Sequence, residues 1–530
     1  MMREEIQKIL AREIGNLFGT KIEESEILTE RPKNSALGDF SSSMAFVLAK
    51  TTKKSPLEIA QQMAESIVNQ NKEQFFSKIE AVSPGFVNFY LSDEFLQNQV
   101  GKILAQGEEY GENNSGQNKK AQVEFISANP TGPLTLGNGR GGVYGDVLGN
   151  ILKKSGYDVT KEYYVNDAGG QIEKLGHSIL KDEEAEYKGG YIDELASQIE
   201  STDPKIVGQK AQAIIAEQIK KTVAAMGIKL DVWFSEQKEL RDSGKVEDVF
   251  NLLRKQNLAY EKDGALWFMA EKFGDEKDRP LKKSDGEPTY FGVDCAYHYN
   301  KFIERKFNRV INVWGADHHG DVARVKGFVA SLGLDKTSFE ILLMQFVRLV
   351  QEGREVRMSK RKGVYVTVDE VLAEVGRDAF RFFMAMYSAN THMDFDLALA
   401  KEQSQKNPVY YAQYGHARIE SILTKTKDEN KKEETENLKL LEAKEELNLI
   451  RQLVKYPEII ADTAVDYQVQ RVPQYVLGLV TAFHKFYENC RVLGEDKNLQ
   501  NARLQLVKAT KIVLQDSLEG ILGISAPEKM

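Results

Sequence analysis

Two cysteines in 530 residues, no histidine before His177 and no apolar run of bilayer length are the first things this chain lacks. Cys295 and Cys490 cannot build a disulfide framework or a four-cysteine zinc site, and read as single buried thiols of a reducing compartment. Without a long apolar run there is no candidate membrane-spanning helix. The N-terminus sets Ile6, Leu10, Ile14 and Leu17 at helical spacing among acidic residues, unlike a secretory signal. A cytoplasmic protein is therefore expected. Positive charge is also in deficit: the net charge of −8 excludes a uniformly basic nucleic-acid coat, while leaving room for a local basic patch. No Gly-x₄-Gly-Lys-Ser/Thr loop occurs, so a P-loop ATPase is unsupported, and no His-Glu-x-x-His pattern is present. Asp317-His318-His319 lacks the spacing of a metal cluster, and no resident metal is expected.

What is present is a multidomain chain, with 42% hydrophobic and 28% charged residues befitting a globular protein with ample core. Residues 1–104 mix helices with a hairpin, in which Ile79–Val82 and Phe86–Leu91 flank Ser83-Pro84-Gly85, giving an N-terminal α+β domain. Residues 105–120 are polar and rich in glycine and asparagine, as a linker is. From 121 to 397 apolar strands such as Val310–Gly315 alternate with helical patterns, which predicts a parallel sheet covered by helices. Within it, about 173–285 is charged and mostly helix-patterned, and reads as an insertion. Residues 398–530 hold few glycines, and Val409–Ala526 only two prolines (Pro457 and Pro473), so an all-α bundle is expected.

The most telling segment is Glu124-Phe-Ile-Ser-Ala-Asn-Pro-Thr-Gly-Pro-Leu-Thr-Leu-Gly-Asn-Gly-Arg140. A strand breaks into a proline-stiffened turn and a glycine-rich helix start, followed by Val143, Val147 and Ile151 at helical spacing. Backbone N–H groups and the helix dipole at such a start favour phosphate. Gly137-x-Gly139-x-x-Gly142 also fits the dinucleotide fingerprint, but the intervening Asn129–Pro133 argues against a dinucleotide oxidoreductase. Close helix–strand packing with no ligand is the plain alternative. Far downstream, Val356-Arg-Met-Ser-Lys-Arg-Lys-Gly363 sets Arg357, Lys360, Arg361 and Lys362 on a loop, where cations offset charge building on a leaving pyrophosphate.

Together these segments resemble the HIGH and KMSK signatures of class I aminoacyl-tRNA synthetases, and the wider chain is similar to the arginyl-tRNA synthetase family. Ser127–Leu134, Tyr164–Gln171, Ser284–Tyr290, Trp314–Gly320, Glu374–Asp378, Ala482–Tyr487 with Cys490-Arg491, and Ala526–Met530 carry that likeness across the whole length. The resemblance implies a Rossmann-like catalytic domain, an extra N-terminal domain at the tRNA elbow and a C-terminal domain that grips the anticodon arm. It implies L-arginine, ATP with its Mg²⁺ and tRNA-Arg as substrates, arginyl-adenylate as intermediate, activation that needs bound tRNA, and a monomer. The chain departs from the family pattern in two places. Thr135-Leu136-Gly137-Asn138 stands where two histidines are usual, and Arg357 replaces the first lysine of the second signature.

By that likeness Thr135, Gly137, Asn138 and Lys360 are the catalytic candidates, and Pro130, Gly139, Arg357, Met358 and Ser359 the ATP-binding ones. Neither Thr135 nor Asn138 can carry the positive charge of a histidine, though both can donate hydrogen bonds. A guanidinium is a planar fork of five donors and is best held by carboxylates. Glu124 at the strand end, with Tyr290 and Asp294 four residues apart, supplies groups of that type, and the family assigns all three to the arginine side chain. It places Ser127 and Asn129 at the α-amino and carboxylate ends, and Asp317 and His318 among the substrate-binding residues. Tyr410, Gln413, Tyr414 and Arg418 follow Pro408 on one helix and are the tRNA-binding candidates, since aromatic and arginine side chains stack on bases and pair with phosphates. The missing histidines leave one alternative, a catalytically silent synthetase-like tRNA-binding protein.

Overall fold

The computed structural model describes every residue except 71–74, 352, 356–365, 426–434 and 495. Arg357, Met358, Ser359 and Lys360, assigned above to ATP and catalysis, lie outside the described residues.

Five strands form an all-parallel sheet, in the spatial order Phe339–Met344, Arg309–Gly315, Lys120–Glu124, Asp158–Val165, Val232–Ser235. The central strand Lys120–Glu124 is buried from its second residue on. The strand order reverses between Lys120–Glu124 and Arg309–Gly315, and in open sheets of this kind ligands bind outside the carboxyl ends of the strands at that reversal. Helix Leu136–Lys154 returns across the sheet, packing on Lys120–Glu124, Asp158–Val165 and Arg309–Gly315. Its glycines let it lie close: a Cβ on Gly145 would meet the Phe125 ring at 2.4 Å.

The predicted hairpin is present as Phe76–Val82 and Phe86–Leu91, within a four-stranded antiparallel N-terminal sheet. The chain from Pro408 on folds into helices Pro408–Lys425, Lys444–Asp466, Arg471–Asn489 and Lys497–Gln515, the expected bundle. These two end regions adjoin. Helix Asp93–Gln106 packs against Lys444–Asp466 and Lys497–Gln515, the Gln97 amide donates to the Lys439 and Leu441 carbonyls, and Arg31 pairs with Glu458 at 2.8 Å.

The stretch 173–285 is rich in helix, as expected, and also carries strands that the expectation did not include. Helices Gln171–Leu180 and Pro204–Ala225 open it, but Val232–Ser235 is the edge strand of the central sheet, and Ala259–Lys262, Ala265–Phe268 and Arg279–Lys282 make a separate antiparallel sheet. In Ala265–Phe268 burial alternates, with Leu266 and Phe268 turned into a second apolar core that includes Phe250, Phe291 and Phe328.

Candidate active site

At the nucleotide end, Thr135 caps helix Leu136–Lys154. The Asn138 N–H donates to Thr135 Oγ1 at 3.4 Å, while Asn138 Oδ1 accepts from the Thr135 N–H at 3.0 Å and its hydroxyl at 2.8 Å. This reciprocal box satisfies the end of the helix with uncharged groups. It commits Asn138 Oδ1 to the protein and leaves Nδ2, with no protein partner among the described residues, as the free donor beside the exposed Gly137. Thr135 also pairs with Thr367 in an isolated antiparallel bridge, and the Val368 N–H donates to the Leu134 carbonyl at 2.9 Å. Thr367, four residues beyond Gly363, is thereby tied by backbone to the start of the glycine loop. Thr367 and Val368, more than two hundred positions downstream, therefore meet the glycine loop in space.

Gly139, assigned above to ATP, has a packing role in the structure. A Cβ there would meet Phe380 at 2.7 Å and Val368 at 2.8 Å, so its bareness admits helix Val368–Ala385. Pro130 is likewise buried, within the turn that precedes the helix. Arg140, which the sequence reading passed over, is fully buried and donates to the Gln345 and Ser388 carbonyls, both at 2.8 Å. Burial pulls its guanidinium down to about 10, and no carboxylate pairs with it among the described residues.

At the amino-acid end, strand Lys120–Glu124 delivers Glu124, 4% exposed, to the switch point. The chain then turns through Ile126 (φ 69°) and Ser127 (φ 41°), left-handed conformations that a β-branched isoleucine rarely adopts. Such strain persists where the surroundings over-determine it. It turns Ser127 back, so that Ser127 Oγ donates to Glu124 Oε1 at 2.9 Å and accepts from the Tyr164 N–H at 3.1 Å. Ser127 thus serves Glu124; Asn129 is the exposed member of the turn.

Helix Tyr290–Tyr299, capped by Thr289, carries Tyr290 and Asp294 one turn apart. Tyr290 is 60% exposed and its hydroxyl accepts from Gln171. Asp294 is half-buried, and among the described residues its carboxylate has neither a hydrogen-bond nor an ion-pair partner. Burial pushes it up to about 7; Glu124, Glu236 and Asp321 push the same way, against Arg324. Those other three acids are each matched by a cation. Lys301 meets Glu124 at 2.6 Å, Arg241 meets Glu236 at 2.7 Å, and Arg324 meets Asp321 at 2.6 Å. Tyr164 closes the group, its hydroxyl donating to Glu236 at 2.7 Å and its ring 4.5 Å from that of Tyr297. Of these, Glu236, Lys301, Arg241, Asp321, Arg324 and Tyr164 were not picked out as site residues from sequence, because they reach the pocket from several separate elements.

Asp317 and His318 stand on the turn Ala316–Asp321 at the carboxyl end of strand Arg309–Gly315, both well exposed, and His318 lies 3.3 Å from Asp321. No group of three or more histidine, cysteine or acidic side chains able to hold a metal occurs among the described residues, and no described helix is long and apolar enough to cross a membrane.

On helix Pro408–Lys425, Tyr410 stacks on Tyr414 at 6.3 Å, and Arg418 lies over the rings of Tyr414 (5.3 Å) and Tyr487 (4.6 Å). All three expected residues of this stripe are half-buried rather than core. Gln413 is the exception to the expected set: its amide donates to Asp378 and to Ser525, so its nitrogen joins the helix to the catalytic domain and the chain end.

Comparison with known proteins agrees with this geometry. Residues 4–91 match the arginyl tRNA synthetase N terminal domain, 99–196 and 180–420 the catalytic domain of class I (R) tRNA synthetases, and 412–530 the DALR anticodon binding domain. The chain is 44% identical to the arginine–tRNA ligase of Carboxydothermus hydrogenoformans, over 94% of each, and 40% identical to that of Aquifex aeolicus over the whole of both. The fold superposes on Thermus thermophilus arginyl-tRNA synthetase with a TM-score of 0.80, at 22% identity and full coverage of both chains. The chain belongs to the arginyl-tRNA synthetase family of class I.

Proposed function

We infer that this member of the arginyl-tRNA synthetase family is an arginine–tRNA ligase: it condenses arginine with ATP to arginyl-adenylate and pyrophosphate, then passes the arginyl group to the terminal adenosine of tRNA-Arg. The observation that carries the reading is the set of four acids at the switch point, three matched by cations and Asp294 unmatched. One added guanidinium completes that set, because a buried carboxylate binds a charged fork of donors strongly and in a defined plane. Tyr290, at the open side of the same helix, would cover the bound side chain. Asn129, Asp317 and His318, all exposed around the strand ends, would meet the α-amino and carboxylate end of the substrate.

The arginine carboxylate is the nucleophile at the α-phosphate, so the protein forms no covalent intermediate; its task is positioning and charge stabilisation. The N-terminal amides of helix Leu136–Lys154 and the free Nδ2 of Asn138 would donate to phosphate oxygens as charge builds there. Mg²⁺ would arrive on the ATP phosphates as part of the substrate, and Lys360 and Arg357 would neutralise the departing pyrophosphate. Tyr410, Tyr414 and Arg418 would take the anticodon arm, with the N-terminal domain toward the elbow. We take the working unit to be one cytoplasmic chain. Nothing favours the catalytically silent alternative, in which a matched set of pocket charges would have no use.

The test is arginine-dependent ATP–pyrophosphate exchange, with and without tRNA-Arg and with lysine as control. Exchange that requires arginine and is not supported by lysine upholds the reading. Absence of exchange under all conditions, with tRNA still bound, overturns it in favour of the silent alternative.

A further inference from the structure

Lys301 is a buried cation of the amino-acid end, with its side chain fully enclosed. It stands on the wide turn Asn300–Glu304 that follows helix Tyr290–Tyr299. Its ammonium donates to Glu124 Oε2 at 2.6 Å and to Asn312 Oδ1 at 3.0 Å, and lies 4.1 Å from the centre of the Tyr297 ring. Asn312 is the register partner of Glu124 on the neighbouring strand. Asn312 Nδ2 lies 3.3 Å from His298 Nε2, and His298 Nδ1 lies 2.8 Å from the Asp294 carbonyl.

The donors along this path have one consistent assignment. The Asp294 carbonyl can only accept, so His298 carries its proton on Nδ1 and accepts from Asn312 at Nε2. Asn312 then presents Oδ1 to the ammonium, and the ammonium ends the chain on Glu124. Burial holds His298 well below its ordinary range, which keeps this neutral form. The two pocket acids are therefore joined by a chain with every link made: the backbone of Asp294 at one end, the carboxylate of Glu124 at the other. Both oxygens of Glu124 are taken, one by Lys301 and one by Ser127.

We propose that Lys301 is a positioning and specificity-determining residue of the amino-acid pocket, which cancels the charge of Glu124 and fixes its plane so that Asp294 alone is left to neutralise one substrate cation. The proposal rests on the arginine-pocket reading above. Without Lys301 the site would hold two uncompensated acids in a place where they cannot both stay ionised cheaply. Without Glu124 it would hold an unpaired ammonium that repels the guanidinium.

This gives opposite signs to two related variants. Glu124→Gln leaves Lys301 and Asp294 cancelling each other, so the KM for arginine in tRNA aminoacylation is expected to rise about a hundredfold, with the KM for ATP little changed. Adding Lys301→Met restores one net negative charge, and is expected to recover about tenfold of that loss although a second pocket group has been removed. A double variant equal to or worse than Glu124→Gln overturns the proposal, because a merely structural lysine gives further loss. Asp294→Asn, measured in parallel, separates the two levels. If it leaves the KM for arginine unchanged, the pocket reading itself fails; if it raises that KM while the double variant shows no recovery, only the role of Lys301 fails.

Discussion

At the amino-acid end of the site, Glu124, Glu236 and Asp321 each meet a cation and only Asp294 is left without one among the described residues, whereas at the nucleotide end Thr135 and Asn138 carry no charge. The two ends face different demands. An amino-acid pocket must reject close analogues, and buried charge fixed in position does that, since a wrong ligand leaves the acceptors unpaired. A phosphate site must release pyrophosphate, and backbone amides with a capping amide supply donors without holding a permanent cation against the product. Thr367, four residues past Gly363, is fastened to the glycine loop by its bridge with Thr135.

The comparison breaks most readily at Asp294. Asp294→Asn removes the one uncompensated charge, and kcat/KM for arginine is expected to fall about a thousandfold with the KM for ATP unchanged, as measured by aminoacylation. Asn138→Asp probes the other end. The new carboxylate still accepts from Thr135 and suits the first turn of a helix, so the melting temperature should hold. It replaces the free donor with an anion facing phosphate, and pyrophosphate exchange is expected to drop about 10²- to 10³-fold.

The pH profile sharpens the contrast. Burial, with Glu124, Glu236 and Asp321 nearby, raises Asp294 to about 7. Arginine stays charged throughout, so a proton on Asp294 competes with it: the KM for arginine should rise about tenfold for each unit below pH 7, level off above, and be flat in Asp294→Asn. By the same raised value, the unliganded fold loses stability as pH climbs toward 7, and bound arginine, which stabilises the charged form, should offset that loss in a melting series. The smallest effect is expected at the RNA-facing stripe. Arg418→Ala, losing its contacts with Tyr414 and Tyr487, should raise the KM for tRNA about tenfold and leave that for arginine alone.

Much of this was legible in the residues, and the gaps have physical causes. The strand ending at Glu124, the capped helix after Thr135, the hairpin around Ser83-Pro84-Gly85 and the terminal bundle all announce themselves through local pattern and turn chemistry. Val232–Ser235 does not, because a four-residue edge strand in a charged stretch has no period of its own to read. Gly139 lies within a phosphate-binding pattern, yet its bareness serves helix packing against Phe380, a contact made across more than two hundred positions. Gln413 shares a helix face with Tyr410 and Tyr414, and only the position of Ser525 shows that its amide is spent internally. Glu124 and Asp294 could be named from residue type and family likeness. Their unequal state could not, since it depends on Lys301, Arg241 and Arg324 arriving from separate elements.

The most direct test of the account is discrimination between arginine and citrulline, its neutral isostere, in wild type and Asp294→Asn. If Asp294 is the single uncompensated charge, wild type should prefer arginine by about a thousandfold or more in affinity, and the variant should lose most of that preference. A variant that binds arginine weakly yet still rejects citrulline as strongly as wild type does would contradict it, and would mean that selection by charge resides elsewhere in the pocket.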